Sequence, residues 1–241
     1  MKVSVIIPAA GASKRFGNKT KKIFQQIKGS PVFVRAVELF ASRDDVCQVQ
    51  LVVAEEDMET MRTRYAANLG FMGVKLVPGG PERTDSVRNA LAKVAPEADF
   101  VCVHDAVRPC VSAVWIDRVF AAAERTGAAI LACPLHGTLK EVDADDRIAA
   151  TLDRRGLWEA QTPQVFRKDI LVRAYESAPA SATDDAALVE ATGQPVTVVR
   201  GDPRNVKITT QGDLALAAAV VNTLPKPKPK APAGPFDEAK W

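Results

Sequence analysis

Val3-Ser4-Val5-Ile6-Ile7-Pro8-Ala9-Ala10-Gly11-Ala12-Ser13-Lys14-Arg15-Phe16-Gly17-Asn18-Lys19-Thr20-Lys21-Lys22 is the stretch on which the reading of this chain turns. Its first five residues are apolar apart from Ser4 and predict a buried strand. The strand gives way to small residues, and between Ala9 and Phe24 there are five cations and no acid. Small residues let backbone N–H groups approach a ligand closely and the cations supply charge, a combination suited to a polyphosphate. No Gly-Lys-Ser/Thr follows, and no G-x-G-x-x-G fingerprint is present, which counts against an ATPase and a dinucleotide oxidoreductase. The competing reading is a solvated basic loop after an edge strand.

Outward from this stretch, short apolar runs alternate with helical patterns. Strands are predicted at 48–54, 74–77, 100–104, 128–133 and 195–200, and helices at 31–42, 55–69, 83–95, 112–125, 168–177, 184–192 and 212–224. Ser30-Pro31 and Thr183-Asp184-Asp185 read as helix starts. The alternation predicts an α/β fold with a doubly wound, mostly parallel sheet covered on both faces. In such sheets ligands bind past the carboxyl ends of strands. The polar stretch 135–163 breaks the pattern. Two short strands, 138–142 and 148–152, joined by Asp143-Ala144-Asp145-Asp146, predict a projecting hairpin arm. An isolated hairpin is marginal in water, so the arm should pack on something, such as a second subunit. The main domain is expected to span 1–224, and the Pro/Lys-rich tail 225–241 reads as a poorly ordered extension.

With 241 residues, the chain can bury a full core without staples. Hydrophobic residues make up 47% and charged residues 25%, which excludes disordered and coiled-coil classes. A net charge of +3 is too small for a histone-like polyanion binder, so no nucleic-acid partner is expected. Cys47, Cys102, Cys110 and Cys133 form no C-x-x-C pair, and with two histidines a sulfur–imidazole zinc site is not expected. No signal peptide and no apolar run of about 18 residues is visible, so the chain is expected in the cytoplasm, away from membranes.

Two further motifs carry chemistry. In Val101-Cys102-Val103-His104-Asp105-Ala106-Val107-Arg108-Pro109 a strand ends in an acid with Arg three residues later. Asp105 there can hold Mg²⁺ or a ribose hydroxyl, and Arg108 can steady it or bind phosphate. The alternative is a structural Asp–Arg pair, and His104 reads as a hydrogen-bonded structural residue rather than a base. In Val77-Pro78-Gly79-Gly80-Pro81-Glu82-Arg83-Thr84-Asp85-Ser86-Val87 a glycine pair precedes a helix start, exposing backbone groups and a Ser hydroxyl that can read a nucleobase edge. Alone this is weak, because Pro-Gly-Gly marks many plain turns.

Taken in order, these motifs resemble the 2-C-methyl-D-erythritol 4-phosphate cytidylyltransferases. The similarity continues through Asp153-Arg154-Arg155-Gly156-Leu157-Trp158, Gln161-Thr162-Pro163-Gln164, Thr183-Asp184-Asp185-Ala186 and Asn205-Val206-Lys207-Ile208-Thr209. It covers about residues 3–222 and leaves the tail outside. The resemblance implies a Rossmann-like nucleotidyltransferase fold and transfer of CMP from CTP to 2-C-methyl-D-erythritol 4-phosphate with release of pyrophosphate, a step of non-mevalonate isoprenoid synthesis, with Mg²⁺ bridging phosphate oxygens. It implies Arg15 and Lys22 as transition-state stabilisers, with Ala9, Ala10 and Gly11 cradling the triphosphate. Gly80 and Ser86 would hold cytosine, and Asp105 would lie beside the nucleotide. Ala106, Arg108, Thr138, Arg154, Thr183 and Lys207 would serve the second substrate. Thr138 and Arg154 would act across an arm-exchanged homodimer. Protein side chains are not expected to cage the metal, Asp105 being the one possible ligand. The alternatives are a ribitol 5-phosphate cytidylyltransferase and a non-catalytic nucleotide-binding relative.

Overall fold

In the computed structural model, which describes residues 1–13, 16–17, 20–178 and 182–227, the opening apolar run forms strand β1 (Val3–Pro8). The chain then makes a short hairpin, β2 (Gln26–Ile27) and β3 (Ser30–Pro31), and enters α1 (Val32–Ala41), β4 (Val46–Val53), α2 (Glu55–Arg64), α3 (Ala66–Phe71) and β5 (Val74–Pro78). Next come α4 (Arg83–Leu91), β6 (Phe100–Val103), α5 (Ala113–Thr126), β7 (Ala128–Pro134), β8 (Leu139–Val142), β9 (Ile148–Leu152) and β10 (Trp158–Arg167). The last elements are α6 (Lys168–Glu176), α7 (Asp185–Glu190), β11 (Thr197–Arg200) and α8 (Gln211–Val220). Arg15 and the tail beyond 227 lie outside the described residues, so the expectations that fall on them are not addressed by the fold.

The main sheet has the order β11-β7-β10-β6-β1-β4-β5. Every neighbouring pair is parallel except the two made by β10, which runs antiparallel to both β6 and β7. Side chains alternate across a strand, so Val3, Val5 and Ile7 enter one core while Ile6 enters the other. The first core also takes Phe33 and Phe40 of α1 and Trp115 and Ile116 of α5; the second takes Val87 of α4 and Ile170 and Leu171 of α6. The mostly parallel, doubly covered sheet expected from the sequence is the one observed.

Local chemistry sets the helix ends. Ser112 caps α5 by accepting from the Val114 N–H, and Gly127, at φ 82°, closes it in the left-handed region. Glu82 and Asp85 form a reciprocal capping box on α4, worth about 1 kcal/mol. Two expectations shift. The helix read at 55–69 divides at Tyr65, whose ring packs on Phe24 at 5.9 Å and Phe33 at 5.0 Å. Ser30 does not cap α1 but belongs to β3, and Pro31 holds the cap position without a side-chain bond.

The larger difference is β10. The hairpin read within 135–163 is present as β8 paired with β9, but from Trp158 the chain has already re-entered the main sheet. Among the described residues no helix is long and apolar enough to cross a membrane.

Candidate active site

The carboxyl ends of β1, β5 and β6 open onto one cavity of about 410 Å³. Its walls are Pro8 to Ala12 and Lys22 on one side, Gly80 to Arg83 with Ser86 on another, and Asp105, Val107 and Lys207 on the third. The phosphate-type loop and the glycine-pair turn touch directly. A side chain at Gly79 would bring its Cβ to 2.6 Å from the Ala10 Cβ, and one at Gly80 would meet Asp85 at 2.4 Å. The glycine pair is therefore required by close approach, more than by turn conformation. Ser86 is not the open hydroxyl anticipated from the sequence: it is buried, and its Oγ accepts from the Gly80 N–H at 3.0 Å. It thus shapes the Gly80 turn. Ser13, at φ 56°, sits in the left-handed region, and its Oγ accepts from the Lys22 N–H at 3.3 Å, drawing the two ends of the phosphate loop together.

Asp105 is the electrostatic centre. Lys207 Nζ lies 2.8 Å from its carboxylate, Arg83 at 3.6 Å and Arg108 at 3.7 Å. Burial alone would raise its pKa, but the charges of Arg83, Lys207 and Arg108 outweigh that and hold it well below the usual carboxylate range. Asp105 is therefore ionised at any working pH.

His104 is fully buried with both ring nitrogens engaged. The Arg108 carbonyl can only accept, so Nε2 donates to it at 3.1 Å and Nδ1 accepts from the Thr162 hydroxyl at 3.1 Å. Thr162 Oγ1 in turn accepts from the Asp105 N–H. Burial pushes the His104 pKa down to about 4, so the imidazole is neutral and braces the 104–108 turn against β10. The structural reading of His104 stands. Arg108 is likewise buried, donating to the carbonyls of Asn205 at 2.7 Å and Ala160 at 3.4 Å. In this state it fastens the turn to β10, while its Nε is buried without a hydrogen-bond partner.

The cavity thus gathers Ala9, Ala10, Gly11, Lys22, Gly80, Ser86, Asp105 and Lys207. Ala106 and Arg108 are buried in the turn beside it. Thr138, Arg154 and Thr183 are exposed and do not line it, Thr138 and Arg154 flanking the β8–β9 hairpin. Arg154 donates to the His136 carbonyl. Arg83, in the glycine-pair motif, is a site residue that the sequence pattern does not single out. It spans from Asp105 to the fully buried Asp185, 2.7 Å away, which also accepts from the Tyr175 hydroxyl at 2.5 Å. Its sequence signal is the pair of acids at the start of α7, of which Asp184 caps the helix and Asp185 takes the arginine. A second depression of about 660 Å³, between α1 and α3, contains none of the motif residues.

Among the described residues no group of three or more His, Cys, Asp or Glu side chains converges on a point. Asp105 offers one carboxylate already faced by three cations. Of the two carboxylates in the cavity lining, Glu82 is engaged in the α4 cap, which leaves Asp105 to reach a divalent ion carried mainly by phosphate oxygens.

A doubly wound sheet whose first strand ends in small residues that share one cavity with Lys22, a glycine-pair turn and a charged cluster is the architecture of the nucleotidyltransferase class. The chain belongs to the 2-C-methyl-D-erythritol 4-phosphate cytidylyltransferase family, whose model matches residues 3–223. A relative of that name from Rhodopirellula baltica is 43% identical over 232 residues, covering 91% of this chain and 95% of its own. One from Symbiobacterium thermophilum is 45% identical over 220 residues, covering 89% and 91%. The solved structure of the Thermus thermophilus cytidylyltransferase superposes with a TM-score of 0.77 at 32% identity, covering 92% of this chain and all of that one.

Proposed function

We propose that this chain transfers CMP from CTP to 2-C-methyl-D-erythritol 4-phosphate, releasing pyrophosphate, as a step of non-mevalonate isoprenoid synthesis. The observation that carries the reading is the single cavity in which Lys22 and the 9–11 backbone face Gly80 and Ser86 across the Asp105–Lys207 pair. The substrate phosphate is already an anion at neutral pH, so its oxygen attacks the α-phosphorus without a protein base. The P–O bond to pyrophosphate breaks as the new one forms. Negative charge grows on both, and fixed cations are what the reaction needs. In this reading Arg15 and Lys22 stabilise that charge, Ala9, Ala10 and Gly11 bind the triphosphate, and Gly80, held by Ser86, reads cytosine.

On the acceptor side, Lys207, Ala106, Arg108 and Thr183 belong to one subunit, and Thr138 and Arg154 reach in from a second. A homodimer is supported by the exposed apolar side chains Val142, Ile148, Leu152, Leu157 and Trp158 on and beside the β8–β9 hairpin. A divalent ion such as Mg²⁺, when bound with CTP, would neutralise triphosphate charge, and Asp105 would be its carboxylate, since Glu82 is engaged in the α4 cap. Four unpaired cysteines suit a reducing compartment, so the reading carries a cytoplasmic location.

The test is a panel of polyol phosphates against each nucleoside triphosphate, followed by pyrophosphate release. CTP with the methylerythritol phosphate should dominate. UTP should be poor by a factor on the order of 10² or more, because a mismatched base edge leaves buried polar groups unpaired. Preference for ribitol 5-phosphate, or no release with any acceptor, would overturn the assignment.

A further inference from the structure

We propose that Lys21 is a positioning residue of the phosphate loop: clamped between Glu56 and Asp57, it aims Lys22 into the cavity. The inference rests on the reaction proposed above and assigns a role to a residue that reaction does not itself use. Lys21 and Lys22 are adjacent, and composition alone offers both to a polyphosphate. They are used differently. Lys22 lines the cavity, whereas Lys21 Nζ bonds Glu56 Oε1 at 2.7 Å and Asp57 Oδ2 at 2.6 Å. Both acids lie in the first turn of α2, where the helix dipole favours negative charge. The pair is partly shielded, with side-chain exposures of 19% for Lys21 and 11% for Asp57. Burial works against the lysine's charge, and the two carboxylates more than restore it.

Backbone geometry turns this clamp into an aiming device. Lys21 is extended, at φ −54° and ψ 145°, and Lys22 opens the 3₁₀ turn Lys22–Phe24. Pinning Lys21 on α2 therefore fixes the strand-like residue from which Lys22 departs in another direction. Bonds to backbone carbonyls fix the turn as well: the Lys21 carbonyl accepts from the Phe24 N–H at 3.0 Å, and the Thr20 carbonyl accepts from the Gln25 side-chain amide at 3.1 Å. Ile23 is buried, and Phe24 stacks on Tyr65 and meets Phe33 edge-on. Ser13 holds the Lys22 amide. The Lys21 clamp adds the side-chain fastening on the residue immediately before the stabilising cation. A displacement of about 1 Å at such a group can cost on the order of 10²-fold in rate.

The experiment separates aiming from plain charge, because the two predict opposite signs. Removing the acids in Glu56→Gln/Asp57→Asn makes the surroundings of the loop more positive, which by field alone should strengthen polyphosphate binding and speed turnover. Loss of the clamp instead lowers kcat, by about ten-fold. Lys21→Ala should fall by a similar factor, with the KM for the polyol phosphate little changed. Lys21→Arg, whose fork can still span two carboxylates, should stay within about two-fold of wild type. Melting temperatures check that each variant is folded. A double variant at or above wild-type kcat, or Lys21→Ala within two-fold of wild type, overturns the proposal. Titration with inorganic tripolyphosphate reads the loop without the reaction. The Glu56→Gln/Asp57→Asn protein should bind it several-fold more weakly, and equal or tighter binding overturns the clamp. An inactive wild type would fault the reaction instead, and the titration would still judge the clamp.

Discussion

At the scale of single residues, the cavity divides its charges between chemistry and construction. Lys22 faces the cavity, whereas His104, a titratable type beside Asp105, is fastened to the Arg108 carbonyl and the Thr162 hydroxyl. If Lys22 stabilises the transition state, Lys22→Ala should lower kcat by about 10²–10³-fold while weakening CTP binding far less, measured by steady-state kinetics beside calorimetry. Wild-type kcat would remove it from the mechanism. His104 makes a different prediction. Its pKa is depressed from 6.5 to about 4, so between those values the unfolded chain takes up a proton that the folded one refuses. Its contribution to stability is full above pH 6.5 and lost as pH falls toward 4, by up to about 3 kcal/mol. Urea midpoints followed from pH 7 to 4.5 should fall, and His104→Gln should flatten that slope; an unchanged slope would count against it. The sequence motifs named most of the cavity wall. They left Arg83 without a role, since a bridge between Asp105 and Asp185 joins positions far apart in the chain, and no local pattern reports it.

At the scale of elements, the parallel strands were legible because burial on both faces leaves continuous apolar runs. Strand β10 was not. Its sequence, Trp158-Glu159-Ala160-Gln161-Thr162-Pro163-Gln164-Val165-Phe166-Arg167, carries in its middle a proline and three uncharged polar residues, Gln161, Thr162 and Gln164, that argue against a central strand. Those polar side chains are buried because they build the site. Thr162 holds the Asp105 amide and His104, Gln161 holds the 202 carbonyl, and Gln164 reaches Asp184 and the Ala186 amide. Scaffolding for function overrode the pattern. The carboxyl end follows the opposite logic. Among the described residues Leu224 is the last apolar one packed on the core, and the composition beyond it supports no core of its own. Deletion after Leu224 should leave turnover unchanged and the melting temperature within about 2 °C. A large drop would mean that Phe236 or Trp241 docks on the domain.

At the scale of the whole molecule, Thr138 and Arg154 sit away from the cavity of their own chain, while the neighbouring hairpin exposes Ile148 at 64% and Val142 at 54%. If a two-fold partner receives this arm, Lys22 and Arg154 of one site come from different chains. Lys22→Ala and Arg154→Ala proteins, each nearly inactive, should then recover roughly a quarter of wild-type activity when mixed and allowed to exchange, since half the dimers gain one intact site. No recovery despite demonstrated exchange would sink the shared site. The sheet order has a consequence of another kind, for the ribosome rather than the substrate. The partner that joins β6 to β7 is β10, so the two halves of the sheet stay unlinked until residue 167 has been made. Until then the growing chain carries two open strand edges flanking an unfilled slot, both templates for mispairing. Nascent chains stopped before Trp158 should accumulate as aggregates or chaperone clients, and those extended past Arg167 should become protease-resistant in a single step.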